Sequence, residues 1–111
     1  MTEAIRACTV SDLAVGEALV IPEEQTGTGD GIAVFNDEGN FYALDDTCSH
    51  EEASLAEGWI EDGEVECPLH ASRFDLRTGA VLCLPATRNV RAYRLEIVDD
   101  EIWVYPGEQP A

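Results

Sequence analysis

The chain has 111 residues, room for one small domain rather than two. Hydrophobic residues make up 45% of it, ordinary for a globular protein, so its high charge does not point to disorder. With 23 acidic against 6 basic side chains the net charge is −17, a field that repels nucleic acid and anionic lipid and draws basic protein surfaces at low ionic strength. The same acidity serves solubility, and the two roles are compatible. No stretch approaches the roughly 20 apolar residues that span a bilayer. Met1-Thr2-Glu3-Ala4-Ile5-Arg6 lacks the layout of a signal peptide, so a soluble, cytoplasmic protein is expected. In that setting four cysteines point to metal ligation before disulfides.

Short β-like runs separated by turn residues recur from end to end. Ala18-Leu19-Val20-Ile21 comes first, followed by a polar, Gly-rich stretch from Glu23 to Gly31. That stretch lacks both a GKS/T ending and a helical context, so it is not a phosphate loop. Ile32-Ala33-Val34-Phe35 and Phe41-Tyr42-Ala43-Leu44 flank the turn Asn36-Asp37-Glu38-Gly39-Asn40, a hairpin signal. Ala53 to Gly58 is the best helix candidate and is too short to stand alone. Arg73 to Leu82 reads as a hairpin turning at Gly79. Tyr93, Leu95 and Ile97 alternate with Arg94, Glu96 and Val98, and Ile102-Trp103-Val104-Tyr105 returns after Asp99-Asp100-Glu101. The expectation is an all-β fold: a single domain, 1–111, whose base (1–44 and 86–111) is a small antiparallel β-sandwich or barrel. A lobe, 45–85, is set into that base, and its loops carry both histidines and two of the four cysteines. Gly107 to Ala111 reads as a frayed tail.

The chemistry is concentrated in Cys48-Ser49-His50 and Cys67-Pro68-Leu69-His70, sixteen residues apart. Either element alone is a weak signal. Together they offer two sulfurs and two nitrogens from two loops, and they use both histidines of the chain. Three readings compete: coincidence, a structural zinc site of two Cys and two His, and a [2Fe–2S] centre with His₂ on one iron and Cys₂ on the other.

The run from Cys48 to Pro85 resembles the Rieske ferredoxins of bacterial aromatic-ring-hydroxylating dioxygenase systems. The pieces that carry the likeness are Cys48-Ser49-His50, Ala53-Ser54-Leu55, Glu66-Cys67-Pro68-Leu69-His70, Arg73-Phe74 and Arg77-Thr78-Gly79. Length and hairpin order agree across nearly the whole chain. The resemblance implies a Rieske iron–sulfur fold with one [2Fe–2S] cluster, Cys48 and Cys67 on the inner iron, and His50 and His70 on the outer iron near the surface. It also implies a third loop, around Pro85, covering the cluster.

Charge counting supports that donor set. Two thiolates cancel the two positive charges of an oxidised [2Fe–2S] core, so one electron makes a site of charge −1, against −3 for an all-cysteine site. Neutral imidazoles therefore raise the potential, to roughly −150 to +300 mV against about −400 mV for plant-type clusters. Within that range a low value is expected. High-potential respiratory Rieske proteins carry a disulfide at the positions of Ala53 and Leu69, and a tyrosine donor where Phe74 stands. Ser72 stands where the dioxygenase ferredoxins are expected to have glycine, and its hydroxyl would raise the potential slightly if it reached sulfur. Glu51, Glu52 and Glu66 beside the ligands oppose an added electron, unless they point into water and are screened. An exposed ligand imidazole would also make the potential fall as pH rises through the oxidised histidine pKa, which a titration of the midpoint checks.

The resemblance implies a one-electron carrier, with no enzyme activity of its own. A mononuclear iron site needs two further histidines, and no nucleotide fingerprint is present. The implied partners are a flavin-dependent NAD(P)H reductase and a terminal ring-hydroxylating oxygenase of aromatic catabolism. Docking would use the tip around His50, Leu69, His70 and Pro85. A monomer is expected, by analogy with small electron carriers. Two rivals remain: a Rieske subunit serving nitrite reductase or a monooxygenase, and a zinc-stapled interaction module. Cys8 and Cys83 read as buried small hydrophobes. Trp59, Trp103, Tyr42 and Phe35 read as core or half-buried strand residues.

Overall fold

The computed structural model describes residues 4–48, 53–69, 72–83 and 88–110. The apolar runs form β1 (Ile5–Thr9), β2 (Ala18–Ile21), β3 (Ile32–Asp37) and β4 (Asn40–Asp45). Four short strands follow: β5 (Trp59–Glu61), β6 (Glu64–Glu66), β7 (Arg73–Asp75) and β8 (Val81–Cys83). The chain closes with β9 (Ala92–Val98) and β10 (Glu101–Tyr105). The ladders are antiparallel, in a six-stranded sheet ordered β1-β10-β9-β4-β3-β2 and a four-stranded sheet ordered β5-β6-β7-β8. The expected all-β class is the observed one, and among the described residues no helix is long and apolar enough to cross a membrane.

Three hairpins turn on two residues that both have positive φ: Glu38 and Gly39, Asp62 and Gly63, Asp99 and Asp100. That is the primed turn, whose twist matches the right-handed twist of the flanking strands.

The large sheet wraps one core. Cys8, Ile21, Ile32, Val34, Ala43, Tyr93, Ile102 and Val104 draw on all six of its strands and meet in a single buried cluster, as in a barrel. The opposite face of β3 and β4 packs a second cluster: Ala33, Phe35 and Leu44 lie against Leu55, Val65, Phe74 and Leu76 of the smaller sheet and its loops. This explains why β3 reads as an unbroken apolar run rather than an alternating one. Its successive side chains point to opposite faces, and both faces are buried.

Three expectations are corrected. Trp59 is 66% exposed, because β5 is the edge of the small sheet and turns this side chain outward, whereas Phe35 is buried and Tyr42 and Trp103 are half-buried. Cys83 is exposed at the end of β8, while Cys8 is buried, where desolvation pushes its thiol above the ordinary value. The C-terminal segment is tied down rather than frayed at Glu108. Its carbonyl accepts from Arg94 N at 3.0 Å, and its carboxylate accepts from the Arg94 guanidinium at 3.1 Å.

Candidate functional site

The first cysteine loop leaves the end of β4. Three consecutive residues, Asp45, Asp46 and Thr47, each anchor it to a different part of the molecule. The Asp45 carboxylate accepts from Tyr93 OH at 2.5 Å and from Arg91 Nε at 2.9 Å, fixing the loop to β9. Asp46 Oδ1 accepts from Ser54 Oγ at 2.7 Å and from Ala56 N at 3.1 Å, closing the loop on its own returning limb. Thr47 Oγ1 donates to Asp30 Oδ1 at 2.8 Å, reaching the segment between β2 and β3. Thr47 and Ser54 form an isolated bridge, and Cys48 N donates to Ala53 O at 3.0 Å. These contacts hold Cys48 at the base of a closed loop.

The second loop joins β6 to β7. Cys67 N donates to Ser72 O at 2.7 Å, which carries the antiparallel ladder one step beyond the strands. Cys67 and Ser72 are therefore fixed at the neck, while Leu69 between them is 59% exposed.

Both cysteines turn inward. Cys48 and Cys67 are 4% and 1% exposed and belong to one buried cluster with Ala53, Leu55, Val65 and Phe74. None of the four cysteines is half of a disulfide. As neutral thiols the two would pack like small apolar side chains; as thiolates against this apolar wall they would need a cation to compensate their charge, so the pair is compatible with a metal centre. The histidines expected to complete the set, His50 and His70, lie outside the described residues, as do Glu51, Glu52 and Pro85. Glu66, expected either to oppose an added electron or to be screened by water, is paired with Arg73 at 3.1 Å, and Arg73 also meets Glu64 at 3.5 Å. Its pull on an added electron is therefore partly cancelled.

The anchors Asp45, Asp46, Tyr93 and Arg91 were not singled out from the sequence. The signal was the acidic pair Asp45-Asp46, one residue short of Cys48-Ser49-His50, which merges with the overall acidity. Asp46→Ala is expected to cost about 2 kcal/mol, since Ser54 Oγ and Ala56 N lose one shared acceptor. Asp46→Asn, which keeps an Oδ1 acceptor, should cost less. Thermal midpoints of the two variants check the order.

The model of a family described as the Rieske [2Fe-2S] domain matches residues 3–94. The 3-phenylpropionate/cinnamic acid dioxygenase ferredoxin subunit of Escherichia coli (strain K12) is 47% identical over 108 residues, 96% of this chain and 97% of that one. The ferredoxin of carbazole 1,9a-dioxygenase from Nocardioides aromaticivorans IC177 superposes with a TM-score of 0.83 at 36% identity, covering 99% and 100% of the two chains. A chain from the complex of reduced oxygenase and oxidized ferredoxin in carbazole 1,9a-dioxygenase gives a TM-score of 0.85 at 30% identity, covering 97% of this chain and 96% of that one.

Proposed function

The chain belongs to the Rieske [2Fe–2S] domain family, and from that premise we propose that it passes single electrons from a flavin-dependent NAD(P)H reductase to a terminal ring-hydroxylating oxygenase. Membership brings one Rieske-type [2Fe–2S] cluster, which when bound supplies a one-electron couple. The protein is the electron-transfer component of such a system rather than its catalyst. In this reading Cys48 and Cys67 hold the inner iron, His50 and His70 hold the outer one, and residues 45–85 form the cluster-bearing lobe. The observation that carries it is the pair of buried cysteines, set by two closed loops into one apolar cluster. Leu55, Val65 and Phe74 keep water from that side, so exchange with partners is directed to the loop tips, where Leu69 is exposed.

A monomeric, cytoplasmic carrier suits the reading, because a shuttle must leave one partner to reach the next. The net charge of −17 speeds encounters with basic surfaces and weakens them as salt rises.

Purified, loaded protein tests the reading. Two irons per chain, a red-brown colour and a reduced EPR signal with mean g below that of all-cysteine clusters are expected. Electrons should then pass from a flavoprotein reductase to a ring-hydroxylating oxygenase only when this protein is added. A colourless protein with stoichiometric zinc overturns it.

Ser72 gives a finer check. It is fully buried at the neck of the second loop, one residue from β7. A hydroxyl directed at sulfur favours the reduced, more negative state. Ser72→Ala should then lower the midpoint by a few tens of mV, since about 1 kcal/mol is roughly 40 mV for one electron. An unchanged midpoint in protein-film voltammetry removes that role.

A further inference from the structure

The small sheet has two faces of opposite character. Ile60, Val65, Phe74 and Val81 form the inward row, packed on the second core. The neighbouring row is Trp59, Glu66 and Arg73, paired strand to strand in that order, so these side chains share the outward face. Trp59, Glu61, Glu64, Glu66 and Arg73 line one shallow depression there. Trp59 stands 66% exposed in it, more than any other large hydrophobic residue of the described chain.

This row lies next to the cysteine loop. Glu66 directly precedes Cys67, and Arg73 directly follows Ser72, the two residues whose backbones close the loop neck. The outward face therefore adjoins the neck of the loop that carries the exposed Leu69.

We propose that docking extends from the loop tip onto this face, where Trp59 receives an arginine or lysine side chain of a basic partner protein. The inference rests on the electron-carrier reading and adds to it a specific contact and the partner chemistry that the contact selects. Charge fixes the occupant. Three carboxylates surround the indole against one guanidinium, and Arg73 is already shared between Glu64 and Glu66. An arriving cation meets the negative face of an indole and the Glu61 carboxylate together, a combination that favours cations and disfavours acidic or neutral surfaces. Tryptophan is also a side chain whose truncation at an interface is most costly, because it buries a large area with little rotamer entropy. Because Trp59 is 66% exposed, its removal costs little packing in the unbound protein.

The test uses the loaded full-length protein and the oxygenase component of the Escherichia coli 3-phenylpropionate/cinnamic acid dioxygenase as the probe. Dissociation constants and single-turnover electron-transfer rates are measured for wild type, Trp59→Ala, Trp59→Leu, Trp59→Tyr and Glu61→Gln. Visible spectra and midpoint potentials, which a docking contact leaves alone, show that each site is intact. Trp59→Ala and Trp59→Leu are each expected to weaken binding roughly five- to thirty-fold, with Trp59→Tyr close to wild type and Glu61→Gln reducing the salt dependence. A Trp59→Ala protein that binds within twofold of wild type overturns this inference and leaves the carrier reading standing. Full retention in Trp59→Leu overturns the cation contact, since apolar area alone would then suffice. A wild-type protein that neither binds nor reduces the probe overturns the partner reading and this inference with it.

Discussion

Alanine at Gly79 is expected to be the most damaging single methyl group that can be added to this chain. Gly79 has φ +78°, and a Cβ built there comes 2.1 Å from the carbonyl oxygen of Val90. The contact is with backbone, and that backbone is itself committed: Val90 N donates to Gly79 O at 2.9 Å, and Gly79 N donates to Asp75 O at 2.8 Å. The added methyl cannot rotate away, so one side of this stitch must open. The turn between β7 and β8 and the approach to β9 would separate, and with them the floor under Phe74 and Leu76. Left-handed φ alone costs a non-glycine residue about 1–2 kcal/mol, and the clash should bring the total to about 4 kcal/mol. Gly63 is the control. It has the same φ of +78°, but a methyl group there would meet nothing within 4 Å, so Gly63→Ala isolates the conformational part. Gly58→Ala is the converse: φ is ordinary, yet the Cβ would lie 2.0 Å from Glu66 O, beside Cys67. In loaded protein scanned at one rate, apparent melting temperatures should fall in the order Gly63→Ala, Gly58→Ala, Gly79→Ala. The last should lie more than about 10 °C below wild type. If Gly79→Ala melts with Gly63→Ala, the Val90 carbonyl has room to yield and the stitch is not rigid.

That stitch was half legible. The sequence marks a turn at Gly79 because Arg77-Thr78-Gly79 separates Phe74 and Leu76 from the apolar run Ala80-Val81-Leu82. It says nothing of Val90, eleven residues on, whose carbonyl makes the glycine obligatory. The same division runs through the molecule. Hairpins are readable because alternation and turn residues are local: Ala18–Ile21 falls where the apolar pattern places it, while the Asn36–Asn40 turn narrows to Glu38-Gly39 because Asn36, Asp37 and Asn40 join the strands. Cys48 and Cys67, which the structure brings into one buried cluster, stand out in the sequence because thiols and imidazoles at short spacing are rare in a chain with two histidines. What remained hidden depends on tertiary neighbours. Trp59 looks like a core residue by composition and becomes a surface residue only because β5 is an edge strand. Cys83 is exposed for a similar reason at the end of β8, the opposite edge. The pairing of Glu66 with Arg73 is invisible in the sequence because this cross-strand partner can be identified only once the register of β6 on β7 is known.

Removing the Asp45 carboxylate should have the next largest effect, and its pH signature separates it from a packing defect. Asp45 is 8% exposed and accepts from a buried phenol, a guanidinium and, at 3.3 Å, the Arg91 backbone N. Asp45→Ala leaves the Tyr93 hydroxyl desolvated without its acceptor. Arg91 keeps much of its hydration, with 58% of its side chain exposed, and adds little. The expected cost is about 3 kcal/mol, most of it from the phenol and the backbone donor. Burial first, and then the hydrogen bond to Asp45, push the Tyr93 phenol well above its ordinary value of 10.0. The sign follows from which state loses its proton first. Below pH 10 the phenol is neutral whether the chain is folded or not, and its contribution is fully present. Above pH 10 the unfolded chain releases the proton while the folded chain holds it, so stability falls by up to about 1.4 kcal/mol per pH unit from this group. Tyr93→Phe removes that slope at the price of one hydrogen bond and a carboxylate left with fewer donors. Unfolding measured from pH 9 to 12 should therefore show wild type steeper than Tyr93→Phe by about one proton, with the two curves converging at the alkaline end. Parallel curves would mean that the phenol ionises alike in both states, and that Asp45 does not hold its proton. The first cysteine loop would then owe its anchorage on β9 to the backbone bond from Asp45 N to Arg91 O rather than to this side-chain network.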